Sequence, residues 1–412
     1  MKNILEVFLG ILTAMGGFVE IGELVFTVNA GVKFGYKLLW MVAVGTVGII
    51  VFGEMSGRIA AVSSQPVFYF IRQRAGYGAG LLTLIAANLA SLLTCAAEIG
   101  GIAILLKLLF GGNYILLAFL TLVFLLLIVW FLSFQAIERI FGLLGLMMLV
   151  FVAAAFWLGP DWTAMASGFI PTVPQLETTS DYFVYAYFAV ALLSSIMLPY
   201  ETYFYASGGI EDGWNPSSIN QNRMIVIVGF SLGALLAVAL MIIGALYFAP
   251  LLIEPQLPGT AAEAPAFLFG KWGLIIALLG MFFAFSGAAI ENALTGAYNI
   301  SQFFGWNWGK YRVPKDAPRF HFAWMIMFVL AALIIFTGVD PVEVVEYSIV
   351  FSIVILPLTY LPMLLAARDT DYMGPYANGW LAGILGWAYF ILICIAALAA
   401  IPLLIITHGG KG

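Results

Sequence analysis

Charged residues are scarce in this chain, and their scarcity excludes a water-soluble protein. Only 9% of the 412 residues are Asp, Glu, Lys or Arg, whereas 63% are hydrophobic and the mean hydropathy is +1.07. Cys95 and Cys394 both lie within apolar stretches, which predicts no disulfide framework and no cysteine metal cluster. His321 and His408, the two histidines, lack the spacing of a zinc site. The composition instead indicates a protein with many membrane spans.

Apolar stretches separated by short polar turns predict eleven membrane-spanning helices. The spans centre on residues 4–29, 38–61, 78–109, 114–134, 139–158, 182–207, 222–249, 272–304, 320–338, 342–367 and 380–407. No gap between them is long enough for a soluble domain, so we predict one all-α integral membrane domain over residues 1–412. The first span carries Glu20 and Glu23 and no cleavage site, which argues against a cleavable signal peptide.

The basic residues are distributed unevenly between the two ends of the spans. If the N-terminus is inside, one side holds eleven basic residues, including every arginine, and the other holds five lysines. The first set is Lys2, Arg58, Arg72, Arg74, Arg139, Arg223, Lys310, Arg312, Lys315, Arg319 and Arg368, and the second is Lys33, Lys37, Lys107, Lys271 and Lys411. Because Lys and Arg favour the cytoplasmic side, we predict a multi-pass cell-membrane protein with a cytoplasmic N-terminus and an external C-terminus.

Two predicted spans are interrupted by acidic residues. The first contains Glu20 and Glu23, and the sixth contains Glu201 just after Pro199. An ionisable side chain at the centre of a bilayer costs at least about 2.5–3.5 kcal/mol, so such residues usually serve a function. Helix-disrupting residues accompany them, namely Gly16, Gly17 and Gly22 in the first span and Pro199 in the sixth. Two broken helices with acids at the breaks predict the cation site of a secondary transporter.

The positions of the two breaks also predict the domain organisation. The first and sixth spans begin two halves of five spans each, residues 4–158 and 182–367, and an extra span follows at 380–407. Halves related by inverted topology place their binding site where their first helices break. The halves show no convincing direct sequence identity, so this repeat is inferred from the breaks alone.

Three glutamates are the predicted cation ligands of the site. In an intact helix Glu20 and Glu23 would share a face, where two carboxylates repel each other unless a cation or proton lies between them. Pro199 lacks a backbone donor and leaves carbonyl oxygens available near Glu201. Hard oxygen ligands of this kind suit Mg²⁺, Ca²⁺ or Mn²⁺. The competing interpretation is that each glutamate is protonated and hydrogen-bonded within a helix bundle.

Other acidic residues within spans are less specific. Glu98 in the third span and Glu291 in the eighth each suit either an ion or proton path or a neutral contact between helices. Glu54 lies four residues before Arg58 near the end of the second span, which predicts a structural ion pair.

Several motifs preserve the spacing of a known family over most of the chain. They are Lys33-Phe34-Gly35-Tyr36, Leu38-Leu39-Trp40 and Arg58 around the second span, Asn88-Leu89-Ala90, Ala97-Glu98-Ile99 and Leu108-Leu109-Phe110-Gly111 in the third, Leu294-Thr295-Gly296 in the eighth, and Leu356-Pro357, Pro362, Asp369 and Met373-Gly374 in and after the tenth. In these motifs the chain resembles the natural resistance-associated macrophage protein family (NRAMP), proton-coupled divalent metal transporters with the LeuT fold. The resemblance implies that fold, with spans 1–5 and 6–10 as inverted repeats and an eleventh span appended.

The chain departs from the family pattern at the metal site itself. Glu20-Ile21-Gly22-Glu23 stands where the family has Asp-Pro-Gly-Asn, so Glu20 and Glu23 replace a metal-binding Asp and Asn. Leu198-Pro199-Tyr200-Glu201 stands for Met-Pro-His-Asn, so Leu198 replaces the metal-binding Met and Tyr200 the His. Ser195 takes the place of an Ala whose carbonyl faces the metal, and Cys95 replaces an Asp of the third span. The resemblance thus implies a metal site of Glu20, Glu23, Ser195, Tyr200 and Glu201.

These replacements change the predicted metal preference of the site and the groups available for proton coupling. A thioether favours transition metals over Mg²⁺ and Ca²⁺, so its loss and the gain of carboxylates favour hard cations. Loss of the His and the Asp removes two titratable groups, so any proton movement must use Glu98, Glu291 or the site glutamates. We predict a monomeric symporter or uniporter that moves a divalent cation inward by alternating access, with no cofactor, no nucleic-acid partner and no enzymatic activity.

Two other functions remain as alternatives. The same fold would suit a small organic cation held by the glutamates and the rings of Tyr200, Tyr203 and Tyr205. It would also suit an amino acid, although the glutamates oppose the carboxylate that helix-end amides would have to anchor. A sensor that transports nothing is disfavoured by the lack of any soluble domain.

Overall fold

The computed structural model describes residues 7–8, 10–12 and 19–411, and this part of the chain contains helices and no strands. The helices are α1 (Ile21–Phe34), α2 (Leu39–Ser63), α3 (Val67–Phe110), α4 (Tyr114–Phe131), α5 (Phe134–Gly145), α6 (Leu149–Trp157), α7 (Trp162–Gly168), α8 (Thr179–Ile196), α9 (Pro199–Glu211), α10 (Ile219–Ile243), α11 (Ala249–Leu251), α12 (Glu263–Phe304), α13 (Pro318–Phe336), α14 (Pro341–Arg368), α15 (Thr370–Met373) and α16 (Trp380–Thr407). The predicted all-α membrane fold is confirmed.

Ten helical segments among the described residues are long and apolar enough to cross a membrane. They correspond to the second to eleventh predicted spans, with α5 and α6 forming the fifth and α8 and α9 the sixth. α1, which has 14 residues, covers positions 21–29 of the first predicted span and continues to Phe34. Gly16 and Gly17, which we predicted to break that span, lie outside the described residues.

The third span lies at the centre of the helix bundle. α3 packs along its length against α12 and α14, and also contacts α13. Its spanning part begins at Gly76, where a φ of 82° separates it from a preceding helical segment. Because α3 is surrounded by other helices, Cys95 and Glu98 are completely buried.

α1 approaches α10 and the helical turn that follows it, residues 244–248, so closely that only glycine fits at the contact. A Cβ atom on Gly31 would lie 2.1 Å from the backbone oxygen of Met241, and one on Gly244 would lie 2.1 Å from the backbone oxygen of Val28. Small residues allow membrane helices to pack backbone against backbone. This contact fixes the position of α1, which carries part of the predicted site.

The predicted ion pair of Glu54 and Arg58 is present and belongs to a larger cluster. Arg58 Nε lies 3.0 Å from Glu54 Oε1, and its other nitrogens donate to the carbonyl of Tyr376 and to Asn378 Oδ1. Arg223 also pairs with Glu54 at 3.2 Å. These contacts bring the end of α2, the start of α10 and the segment before α16 together at one end of the molecule, which we call the arginine-rich face.

Candidate functional site

The sixth span is broken where the sequence predicts it. α8 ends at Ile196, Met197 and Leu198 leave the helical conformation, and α9 begins at Pro199. Proline is favourable at the first position of a helix, so Pro199 starts the second half rather than distorting one continuous helix. It also stands four residues after Ser195, where a helix would otherwise donate an N–H to the Ser195 carbonyl. The break therefore leaves backbone oxygens of α8 without helical partners.

At the first break, Glu20 lies outside the helix. It precedes α1 in an extended conformation (φ −113°, ψ 167°), whereas Glu23 lies in the first turn of α1. The chain changes conformation between them, so the two glutamates do not lie on one face of an intact helix. Gly22 is not a helix breaker either. It lies within α1, and a Cβ there would come 2.7 Å from Ile349 Cδ1 and 3.0 Å from Glu20 Oε1, so the position has little room for a side chain.

Glu98 reaches the first break from the neighbouring helix α3. Its Oε1 accepts a hydrogen bond of 2.9 Å from the backbone N–H of Ile21, the first residue of α1. The first N–H groups of a helix have no partner within the helix and carry a partial positive charge. A carboxylate at this point satisfies a donor and complements the helix dipole. The sequence left two roles open for Glu98, an ion or proton path and a neutral contact between helices. It did not indicate that Glu98 caps α1.

The three predicted site glutamates are buried and incompletely satisfied. Glu20, Glu23 and Glu201 are exposed by 2%, 0% and 5%. Glu20 Oε2 and both carboxylate oxygens of Glu23 and Glu201 have no hydrogen-bond partner among the described residues. Glu20 immediately precedes α1, Glu23 lies in the first turn of α1 and Glu201 in the first turn of α9, so all three lie at the two breaks. Buried polar atoms without partners are costly, which indicates that a cation or protons complete the site.

The neutral members of the predicted site surround the same breaks. Ser195 Oγ donates to the backbone oxygen of Leu192 at 3.1 Å, so its hydroxyl hydrogen is directed into α8. Tyr200 is buried in the first turn of α9, next to Glu201. No group of three or more His, Cys, Asp or Glu side chains in the described part of the chain is arranged to hold a metal ion by itself. A metal would therefore need backbone, hydroxyl or water oxygens besides the carboxylates.

Two cavities lie between the site and the arginine-rich face. The deeper one has a volume of about 40 Å³ and is lined by Val19, next to Glu20, and by Glu291. The wider one has a volume of about 360 Å³ and is lined by the end of α9, by Gln221 of α10 and by Tyr311. Both are also lined by Glu138 of α5, which the sequence did not single out because it follows a short loop and resembles a surface residue.

The opposite side of the site is packed with aromatic rings. The ring of Phe26 lies 5.9 Å from the rings of Tyr187 and Phe188, centroid to centroid. Beyond them, Lys33 at the end of α1 pairs with Glu254 at 2.6 Å, and Asn29 Nδ2 donates to the carbonyl of Pro255 at 2.7 Å. A cavity of about 30 Å³ lies in this region. The larger cavities therefore lie on the side of the arginine-rich face.

Comparisons with known proteins agree with this architecture. The family model described as natural resistance-associated macrophage protein-like matches residues 10–402. The divalent metal cation transporter MntH of Staphylococcus aureus (strain JH9) is 25% identical over 419 residues, which cover 94% of this chain and 88% of that protein. The crystal structure of a variant of the Eremococcus coleocola manganese transporter matches with a TM-score of 0.79 at 18% identity, over 98% of this chain and 87% of that one.

A second solved structure, of MhsT in complex with L-phenylalanine, matches with a TM-score of 0.59 at 16% identity and covers 98% of each chain. At these identities the structural likenesses concern the fold alone. They confirm the LeuT-like arrangement that the sequence predicted.

Proposed function

The chain belongs to the natural resistance-associated macrophage protein family, and on this basis we propose that it is a secondary transporter that carries a divalent cation across the cell membrane by alternating access. The relative from Staphylococcus aureus is named a divalent metal cation transporter, and the matched Eremococcus coleocola structure is that of a manganese transporter. In our proposal the halves 4–158 and 182–367 move against each other around the site at the two breaks.

One observation carries the proposal: five buried carboxylate oxygens of Glu20, Glu23 and Glu201 lack hydrogen-bond partners among the described residues. Three carboxylates gathered in a membrane repel one another, and a dication between them removes both the repulsion and the unsatisfied oxygens. Protons are the alternative occupants of these oxygens. Protonation does not explain why three glutamates lie together at the two breaks.

The backbone adds ligands of the same kind. α8 ends at Ile196, so its last carbonyl groups, including that of Ser195, form the negative end of a half-helix at the break. We propose that the cation is held by Glu20, Glu23 and Glu201 together with the Ser195 carbonyl and the Tyr200 hydroxyl. Since the side chains do not form a ready metal cage in the described residues, the cation would retain water molecules, as Mg²⁺ does in most protein sites.

The ligand set favours hard cations such as Mg²⁺, Mn²⁺ and Ca²⁺. All the proposed ligands are oxygens, and Leu198 is a buried apolar side chain immediately before α9. A site without thioether or thiolate loses the preference for soft metals that such ligands confer.

An amino acid is a weaker candidate for a specific reason. Its carboxylate would need backbone N–H groups at a helix start. The N–H of Ile21 at the start of α1 already donates to Glu98. Glu20, Glu23 and Glu201 at the breaks also repel the carboxylate of an amino acid. A small organic cation meets no such obstacle and is retained as the second candidate, supported by the buried rings of Tyr200 and Tyr203 near the glutamates.

Uptake into liposomes tests the proposal. Purified protein in liposomes is expected to take up Mg²⁺ or Mn²⁺ along a concentration gradient, and Glu20→Gln and Glu201→Gln are each expected to abolish uptake because each removes a charged ligand. Glu177→Gln, the same substitution at an exposed residue, serves as the control and is expected to behave as the wild type.

Calorimetry against Mg²⁺, Ca²⁺, Mn²⁺, Fe²⁺, Cd²⁺ and organic amines then identifies the substrate class. Binding of amines without any metal binding would replace the first candidate with the second. Metal uptake at wild-type rates in both glutamine variants would reject the site.

A further inference from the structure

A short segment after α16 lies on the side of the molecule opposite the arginine-rich face. Asn378, which precedes α16, accepts a hydrogen bond from Arg58 at the arginine-rich face, and α16 then runs for 28 residues. A helix of that length extends about 42 Å, so it carries the chain to the other side of the bundle. Residues 408–411 follow there, and we call them the strap.

The strap turns back over the bundle instead of continuing along the axis of α16. His408, Gly409 and Gly410 have φ values of 48°, 73° and 82°, the left-handed conformation that glycine adopts readily. The backbone N–H of Gly409 donates to the carbonyl of Leu404 at 3.1 Å, and that of Gly410 donates to Thr407 Oγ1 at 3.0 Å. The last turns of α16 therefore hold the strap in its path.

The strap packs on aromatic rings that lie between the site and this side of the molecule. Tyr187 and Phe188 of α8 contact Phe26, which lies on α1 between the break and the far end of that helix. A Cβ atom on Gly410 would lie 2.8 Å from Phe188 Cε2 and 3.0 Å from Tyr187 Cδ1. Gly410 is itself buried. The rings therefore cannot separate toward this side without displacing the strap.

The cavity beside the strap is small and its charges are balanced. Its volume of about 30 Å³ is enough for about one or two water molecules and too small for a hydrated dication. The charged residues that line it are Lys33, Glu254, Glu346 and Lys411. A Cβ atom on Gly409 would lie 2.5 Å from Glu346 Oε2, so the strap also contacts α14. With the strap in place, two lysines balance two glutamates.

We propose that the strap is a lid, which closes the route between the cation site and this side of the molecule and is released when the site opens there. This inference rests on the proposed function, because alternating access requires such an opening. Lids that move on and off a site commonly control access to it. Release would remove Lys411 from the cavity and leave two glutamates against one lysine, and a cleft with excess negative charge attracts cations.

A reversible cross-link tests whether the strap must move during transport. A Cβ atom on Gly409 would lie 2.9 Å from Glu346 Cδ, so the double variant Gly409→Cys with Glu346→Cys brings two thiols within reach of a disulfide. Oxidation with diamide is expected to abolish Mg²⁺ or Mn²⁺ uptake into liposomes, and reduction with a phosphine is expected to restore it. Each single variant, treated in the same way, controls for the loss of Glu346 and for Cys95 and Cys394.

Thiol reactivity tests whether the strap covers the cavity. Val345 lines the cavity and is 2% exposed, so Val345→Cys in nanodiscs is expected to react slowly with a bulky water-soluble maleimide. Addition of Gly410→Ala is expected to speed the reaction by about ten-fold, since left-handed backbone penalises alanine by roughly that factor and the methyl group would meet the rings. Gly383→Ala in α16 meets nothing within 4 Å and is the matched control. Wild-type protein gives the background of the native cysteines.

The outcomes distinguish this inference from the proposed function. Uptake that survives complete oxidation of the double variant would overturn the lid, and so would failure of the disulfide to form, because the strap would then not contact α14. Equal reactivity of Val345→Cys with and without Gly410→Ala would show that the strap does not cover the cavity. If Gly410→Ala fails to fold, the cross-link still decides. A wild type without cation uptake would reject the proposed function, whereas the reactivity of Val345→Cys requires no transport.

Discussion

Glu98 and Ile21 are 77 positions apart, and the carboxylate of the first caps the helix that begins with the second, at 2.9 Å from its backbone nitrogen. The cap joins α3 at the centre of the bundle to α1, which carries Glu23. It also gives Glu98 a structural role besides the ion or proton path that the sequence suggested. Two substitutions at this position separate the two roles.

Glu98→Ala is expected to weaken cation binding, and Glu98→Gln is not. Alanine removes the acceptor from the Ile21 N–H and costs about 1–2 kcal/mol, as the loss of a helix cap does. Glutamine keeps an oxygen at the same reach and preserves the cap. The measurements are the apparent midpoint of thermal unfolding in detergent and the cation affinity by calorimetry. Equal affinities for the alanine variant and the wild type would show that the cap does not position the site.

Leu198→Met is expected to raise the affinity for Cd²⁺ relative to Mg²⁺. The side chain lies just before α9 at the break, and a thioether there adds a soft ligand. The wild type is expected to discriminate weakly between Mn²⁺ or Cd²⁺ and the hard cations. Competition binding measures both, and Leu193→Met, at a buried position of α8, is the control. A wild type that already binds Cd²⁺ far more tightly than Mg²⁺ or Ca²⁺ would contradict this prediction.

Cation uptake is expected to fall as the external pH is lowered. Carboxylates must be deprotonated to bind a metal, so protons compete for Glu20, Glu23 and Glu201. If at least one of these groups holds a proton in the absence of the cation, each binding event releases it. Transport would then exchange protons for metal without the family's His and Asp. A pH-sensitive dye inside the liposomes monitors this exchange, and robust metal flux with no change in internal pH would leave uncoupled transport as the explanation.

Glu211→Gln is expected to loosen the loop that holds the end of α9. The carboxylate accepts from two backbone N–H groups and the Tyr298 hydroxyl, and hydrogen bonds to a charged group contribute about 1.5–3 kcal/mol. Hydrogen exchange in residues 307–317 should become faster and the unfolding midpoint should fall. Asp316→Asn, at an exposed position in the same loop, should change neither. Unaltered exchange in the glutamine variant would mean that other contacts hold the loop.

Gly31→Ala and Gly244→Ala are each expected to destabilise the protein by about 1–3 kcal/mol, the usual cost of overpacking. Each added methyl would lie 2.1 Å from a backbone oxygen of the opposite helix, so α1 and α10 must separate. Gly383→Ala in α16 meets nothing within 4 Å and is expected to change stability little. The measurement is thermal unfolding in detergent, and three equal midpoints would refute the close contact.

The sequence alone determined the features that depend on local composition. Apolar length identified the spans, because each must be about as long as the bilayer is thick. Pro199 identified the break in the sixth span, and the acids in the apolar spans identified the glutamates of the proposed site, because a proline or a charge in an apolar helix is costly. The ion pair of Glu54 and Arg58 followed from a spacing of four residues within one helix.

The tertiary structure decided what depends on contacts between distant segments. Gly22 looked like a helix breaker, but it is small because Ile349 of α14 packs against it. Glu20 and Glu23 would share a face in an intact helix, but Glu20 is extended and precedes the end of α1 that Glu98 of α3 caps. Only the structure shows that Glu138 lines two cavities, because residues of α5, α9 and α12 enclose them. The local sequence pattern does not indicate which helices become neighbours. The roles of these residues therefore depend on how the helices pack.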